Sequence, residues 1–254
     1  MKELKKDKIV IKIFENRQLM GLAAAKDAVE YIKKLQNEKK IINIIFAAAP
    51  SQNEFLEALV KSQEVDWTKI NAFHMDEYIG LSEDAPQSFG NFLRRTVFSN
   101  LHFNSVHYIR DGNPDPGTTC ENYMKLLLNN IIDIVFMGIG ENGHIAFNDP
   151  HVARFDDVEM VKIVELDTNC RRQQVNDGCF ASLSEVPTHA ITLTIPLLMS
   201  ASRIFCMVPG ILKAKAVGTT VHGDIDESCP ATILRLHENA TLYCDSDSGK
   251  LIYQ

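Results

Sequence analysis

The sequence predicts an α/β fold: one domain over residues 1–254, built on a mostly parallel sheet with helices on both faces. Three observations carry the prediction. Short apolar runs alternate with stretches of helical period, the pattern of βαβ units. One run, "IINIIFAAA" (41–49), is apolar throughout, as suits a strand covered on both faces. No repeat, low-complexity tract or Pro/Gly/Ser-rich linker interrupts the chain.

Along the chain, "KIVIKIF" (8–14) alternates as a strand and leads into a long helical pattern from about Asn16 to Lys40. The apolar run 41–49 follows. Pro50 and Ser51 then open a helix over "QNEFLEALVKS", since proline in a first helical turn gives up an N–H that would be unpaired anyway. "INAFHMDEYIG" (70–80) is strand then loop, and "FGNFLRRTVFSN" (89–100) is helix. "ENYMKLLLNN" (121–130) is helix and "IDIVFMG" (132–138) strand. Further strands are expected at 160–166, 189–195, 203–208 and 240–244, with helices near 210–221 and 230–236. Parallel sheets of this kind bind ligands beyond the carboxyl ends of their strands, where strand order switches. The chemistry is therefore expected in the loops after Ala49, Met75, Gly138 and Leu166.

Composition narrows the function. Apolar residues make up 45% and charged residues 23%, ordinary for a globular protein. The net charge of −7 gives no footprint for nucleic acid, so an anionic substrate needs a local cationic site. The start has lysines but no apolar stretch of signal-peptide length, and no run approaches a membrane span. Six scattered cysteines without a CxxC read as reduced thiols in a cytoplasmic protein.

Two stretches carry chemistry. "MGIGENGHIAFNDP" (137–150) holds Gly138, Gly140 and Gly143 at dinucleotide-fingerprint spacing. A strand precedes them, and Glu165 or Asp167 stands at a suitable distance for the ribose acid. The helix that should start within the glycines is cut off by Asn148, Asp149 and Pro150. The glycines instead suit a sharp turn and close approach to a small ligand, delivering His144 at the strand end with Asn142 and Asp149 nearby. Alone, His144 reads equally well as a satisfied structural histidine. In "FHMDEYIGL" (73–81) a strand ends in His74, Asp76 and Glu77. Adjacent acids are by default a solvated turn, but Met75 and Tyr78 supply apolar bulk that would raise a carboxylate's pKa toward that of a useful base.

Together these stretches resemble the glucosamine-6-phosphate deaminase (isomerase) family, to which the 6-phosphogluconolactonases are related. The resemblance implies a Rossmann-like, doubly wound fold and a cytosolic sugar-phosphate enzyme with no metal and no cofactor. The implied reaction opens an amino-sugar 6-phosphate ring, moves a proton from C2 to C1, and releases ammonia to leave a ketose 6-phosphate. By motif, Asp76 matches the proton-shuttling carboxylate, His144 the ring-opening histidine, and Asn142 and Asp149 the groups around it. Lys213 matches a phosphate-contacting lysine. Ala48, Ser51, Glu77, Gly140, Gly143 and Arg172 are the other expected substrate contacts.

The chain departs from the family pattern in three places. Asp149 stands where glutamate is usual. "AAAPSQ" (47–52) replaces a loop like TGxTP. Arg171 and Arg172 lie several residues before the position of a phosphate arginine. A phospho-lactone hydrolase and a non-catalytic sugar-phosphate binding protein remain as alternatives. The expected partner is a small sugar phosphate, with no nucleic acid and no membrane; a homo-oligomer is left open.

Overall fold

The computed structural model describes residues 1–110 and 114–253. An edge hairpin, β1 (Lys2–Lys6) and β2 (Ile9–Phe14), leads into α1 (Arg17–Glu38), whose first turn is capped by Asn16 Oδ1 accepting from Leu19 N–H at 2.9 Å. Then come β3 (Ile42–Phe46), α2 (Asn53–Lys61), β4 (Ile70–His74), β5 (Asp76–Tyr78) and α3 (Phe89–Leu93), which continues as a π-helical turn to Phe98. β6 (Ser105–His107), α4 (Pro116–Leu128), β7 (Ile134–Met137), β8 (Val161–Glu165) and α5 (Thr168–Asn176) follow. The chain ends with β9 (His189–Leu193), α6 (Ile195–Met199), β10 (Arg203–Val208), α7 (Ala214–His222) and β11 (Ala240–Asp245).

Eight strands form one sheet in the order β1-β2-β11-β10-β7-β3-β4-β6, parallel throughout except for the β1–β2 hairpin. The residues of β7 show how it is covered. Ile134 and Phe136 face a core completed by α1 and α2, while Val135 and Met137 face the one completed by α4, α6 and α7. From β3 the chain winds outward through β4 to β6, then returns to lay β7 on the other side of β3 and continues through β10 to β11. The switch in winding thus falls between β3 and β7, and their loops part above the sheet to leave a crevice.

Two expected strands belong elsewhere. β8 and β9 join β5 in a separate antiparallel sheet, in the order β5-β9-β8, rather than extending the parallel one. The reason is visible in "VKIVE": Val161 and Val164 lie on opposite faces and pack into different cores, while Ile163 and Glu165 are exposed, so neither face is covered along its length as a central parallel strand requires. The segment 230–236 is a 3₁₀ helix rather than an α-helix. α5 falls in a stretch too polar to announce itself by period. It is started instead by Asp167, whose carboxylate accepts from Cys170 N–H at 2.7 Å. All six cysteines carry free thiols.

Candidate active site

The crevice between β3 and β7 is lined by loops from several strands. The loop after β3 brings Ala48, Ser51 and Gln52; the short link after β4 brings Met75 and Asp76; the loop after β7 brings Gly138, Gly140 and His144. α5 adds Gln173 and Gln174, and the 3₁₀ turn after β10 adds Lys213. Both sequence motifs therefore meet in one cleft. A larger hollow of 350 Å³ lies behind Glu77 but holds neither Asp76 nor His144, so chemistry rather than size marks the site. The cleft is narrow, at 60 Å³ against the roughly 300 Å³ of a usual ligand pocket.

The glycine loop is built around the imidazole. Gly140 N–H donates to the His144 carbonyl at 2.9 Å, and a Cβ on Gly140 would fall 2.2 Å from the His144 ring. Gly143 turns the chain at φ +87° and packs against Cys229, so it shapes the loop without lining the cleft. No helix starts within the glycines; the loop runs through turns to β8. The dinucleotide cradle is therefore absent from the described residues.

His144 Nδ1 lies 3.0 Å from Asp149 Oδ1, a close polar approach that is off the line of an ideal hydrogen bond. Asp149 is 0% exposed and held from three sides. Its Oδ1 accepts from Asn142 Nδ2 at 2.9 Å and its Oδ2 from Asp167 N–H at 3.2 Å. Burial pushes this carboxyl up, but His144, Asn142 and the Asp167 amide together outweigh it and hold it below the usual range. Asn142 also reaches Asp167 at 3.1 Å, and its Oδ1 accepts from His144 N–H at 3.1 Å. Two donor sets lie close enough to share a cation, His144–Asp149–Cys170 and Asp149–His151–Asp167, though both depend on Asp149 oxygens that already have partners.

The acid pair divides. Asp76 opens β5 opposite Thr192 of β9, is 6% exposed, and borders the cleft. Burial, then the charge of Glu77, pushes its carboxyl well above the usual range. Glu77 points away. Its oxygens accept from Ser88 Oγ at 2.7 Å and from the N–H groups of Tyr78, Phe89 and Gly90 at 2.9–3.1 Å. The expectation that Glu77 contacts substrate is thus corrected: alternation along β5 turns it into the start of α3, where three donors join the Tyr78 amide in occupying it.

Lys213 is 6% exposed and borders the cleft as expected. Burial lowers its pKa, while Asp177 and Glu141 act in the opposite direction. Arg172 is a second correction. It is exposed and off the cleft, while Arg171 donates to the Leu183 and Val186 carbonyls at 2.8–3.3 Å. Sequence reasoning passed over Gln173, Gln174 and Gln52 in favour of charged neighbours. With Asp167 recognised as a helix cap, the register of α5 would have separated the two glutamines from Arg172.

The chain matches the family described as glucosamine-6-phosphate isomerases/6-phosphogluconolactonase over residues 15–243. A glucosamine-6-phosphate deaminase of Listeria welshimeri is 32% identical over 91% of this chain and 96% of its own. One of Streptococcus pneumoniae is also 32% identical, over 96% of this chain and 99% of its own. The solved structure of a monomeric glucosamine-6-phosphate deaminase superposes with a TM-score of 0.83 at 28% identity, covering 95% of this chain and 99% of that one. A 6-phosphogluconolactonase from Thermotoga maritima shares the fold, with a TM-score of 0.72 at 20% identity over 92% of this chain and 98% of that one. With a match running nearly from end to end and both motifs in one cleft, the chain belongs to the glucosamine-6-phosphate isomerase/6-phosphogluconolactonase family.

Proposed function

We propose that this chain is an aldose–ketose isomerase and deaminase that converts an amino-sugar 6-phosphate, glucosamine 6-phosphate first among them, to a ketose 6-phosphate and ammonia. One observation carries the assignment: a buried carboxyl with a raised pKa, Asp76, borders the same cleft as the His144–Asp149 pair. Proton transfer between adjacent carbons needs a fixed base whose pKa lies near working pH, and such a base contributes about 10²–10⁴-fold. A lactone hydrolase has no carbon acid to deprotonate and leaves Asp76 without work.

His144 moves a proton between the anomeric hydroxyl and the ring oxygen, opening the ring. Asn142 and Asp149 are positioning residues that hold the imidazole. Asp76 takes the C2 proton and returns it to C1, leaving an imine at C2. Water adds there and ammonia leaves, so the new carbonyl oxygen comes from water. Lys213 receives the anionic end of the sugar, with Ala48, Ser51 and Gly140 forming the adjacent wall. Isomerisation and hydrolysis require no electron carrier. The free thiols fit a cytoplasmic setting, and among the described residues no helix is long and apolar enough to cross a membrane.

The test is ammonia release from glucosamine 6-phosphate in deuterated water, followed by NMR of the ketose. Ammonia with deuterium at C1 is the expected result. Hydrolysis of a 6-phospho-lactone without ammonia from the amino sugar would place the chain with the lactonases instead.

A further inference from the structure

The end of the cleft that receives the sugar's tail is poor in positive charge. Among the described residues, Lys213 is the only lysine or arginine on its wall. Arg171 is tied to carbonyls, and Arg172 is exposed elsewhere. Arg95 borders a separate hollow beyond Ala48 and Pro50, where its guanidinium lies over the Phe92 ring. Around Lys213 the charged groups are acidic: Asp177 and Glu141 act on its ammonium, with the Cys170 thiol nearby, and Asp76 borders the same cleft. No carboxylate comes within 4.0 Å of the ammonium among the described residues, so one buried cation is left for one counter-charge.

Two of the three glutamine amides on the wall are already engaged, and the third, Gln174, is neutral. Gln52 Nε2 is directed at Ser51 Oγ (3.1 Å) and the Met207 carbonyl (3.2 Å). Because that carbonyl can only accept, it fixes the amide's orientation and leaves Oε1 as a buried acceptor without a donor, the wrong pole for an anion. Gln173 is engaged likewise: its Oε1 accepts from Glu141 N–H at 2.8 Å and its Nε2 reaches Asp177 at 3.3 Å. A second negative charge placed here would be buried with no second lysine or arginine on the wall among the described residues, which is costly.

We propose that this end of the cleft is built for a single negative charge, and that the chain deaminates the 6-sulfate ester of its amino sugar at least as well as the doubly charged 6-phosphate. This rests on the deaminase reading above. A sulfate ester is close in shape to a phosphate ester but stays singly charged, whereas the phosphate takes its second charge with a pKa of about 6. The reaction is unchanged. The proton moves from C2 to C1, water supplies the C2 oxygen, nitrogen leaves as ammonia, and the sulfur–oxygen bond stays intact.

The experiment measures kcat/KM for ammonia release from glucosamine 6-sulfate and glucosamine 6-phosphate at pH 6 and pH 8. The ratio of the two substrates cancels the pH dependence of the catalytic groups, which both share. The sulfate-to-phosphate ratio is expected to rise about tenfold or more from pH 6 to pH 8, as the singly charged phosphate disappears, with sulfate equal or preferred at pH 8. Gln174→Arg, which adds a second cation to the wall, is expected to shift that preference back toward phosphate by about tenfold. A ratio that does not move with pH, or a wild-type preference for phosphate of about tenfold at pH 8, overturns the inference and leaves the deaminase standing. Ammonia from neither ester overturns the deaminase reading itself.

Discussion

Asp149 is one methylene shorter than the glutamate usual at its place in the family pattern, yet it reaches His144 at 3.0 Å because Asn142 and the Asp167 amide fix its other contacts. The pair is thus set by its neighbours as much as by side-chain length. Asp76 has no such support. Its carboxyl is buried with its pKa raised, so ionising it costs folding free energy. That cost is absent below the usual carboxylate range and grows as pH rises toward the raised folded value. Asp76→Asn is therefore expected to lose about 10²–10⁴-fold in kcat and all C1 deuteration. Melting curves should also show it at least as stable as wild type at pH 8. A variant that still exchanges the C2 proton at the wild-type rate would remove Asp76 as the base. For Lys213→Ala we expect KM for a 6-phosphate or 6-sulfate substrate to rise about tenfold, from the loss of a charged contact of roughly 1.5–3 kcal/mol. An unphosphorylated amino sugar should hardly be affected. Equal loss on both would assign Lys213 to folding.

At the scale of elements, the two short helices beside the cleft are held by carboxylates. Glu77 ties β5 to the start of α3 through three donors, Ser88, Phe89 and Gly90, and Asp167 starts α5 and so presents Gln173 and Gln174. Glu77→Gln keeps the shape but removes the charge and turns an amide N–H₂ toward backbone donors. We expect a loss of roughly 3 kcal/mol, read as a Tm lower by several degrees. An unchanged Tm would show that the Ser88, Phe89 and Gly90 donors find other acceptors. His74, at the end of β4, is buried, and burial pulls its pKa down to about 4. Its neutral form is the folded form, so stability present above the unfolded value near 6.5 is lost as pH falls toward 4. His74→Asn should flatten the pH dependence of Tm across that window; a slope equal to wild type would place the acid sensitivity elsewhere.

Across the whole molecule, the local signals in the sequence were strong where the physics is local. Continuous apolar runs marked β3 and β7, helical period marked α1 and α2, and Pro150 ended any helix after the glycines. Those signals sufficed to place Asp76 and His144 at the carboxyl ends of strands, β4 and β7, and motif spacing tied Asn142 and Asp149 to His144. Tertiary structure decided the rest. Whether β8 and β9 extend the parallel sheet or pair with β5 depends on which faces find cover, and that is set by distant parts of the chain. Glu77 and Asp76 are adjacent in sequence and opposite in role, because one faces the helix packed behind β5 and the other faces the crevice. Arg172 and Gln173 are likewise adjacent, but the register of α5, set by Asp167, leaves the arginine in solvent and the glutamine in the cleft. Residue types fix what chemistry is available; only packing, by turning each side chain toward solvent, core or cleft, selects which of them meets the substrate.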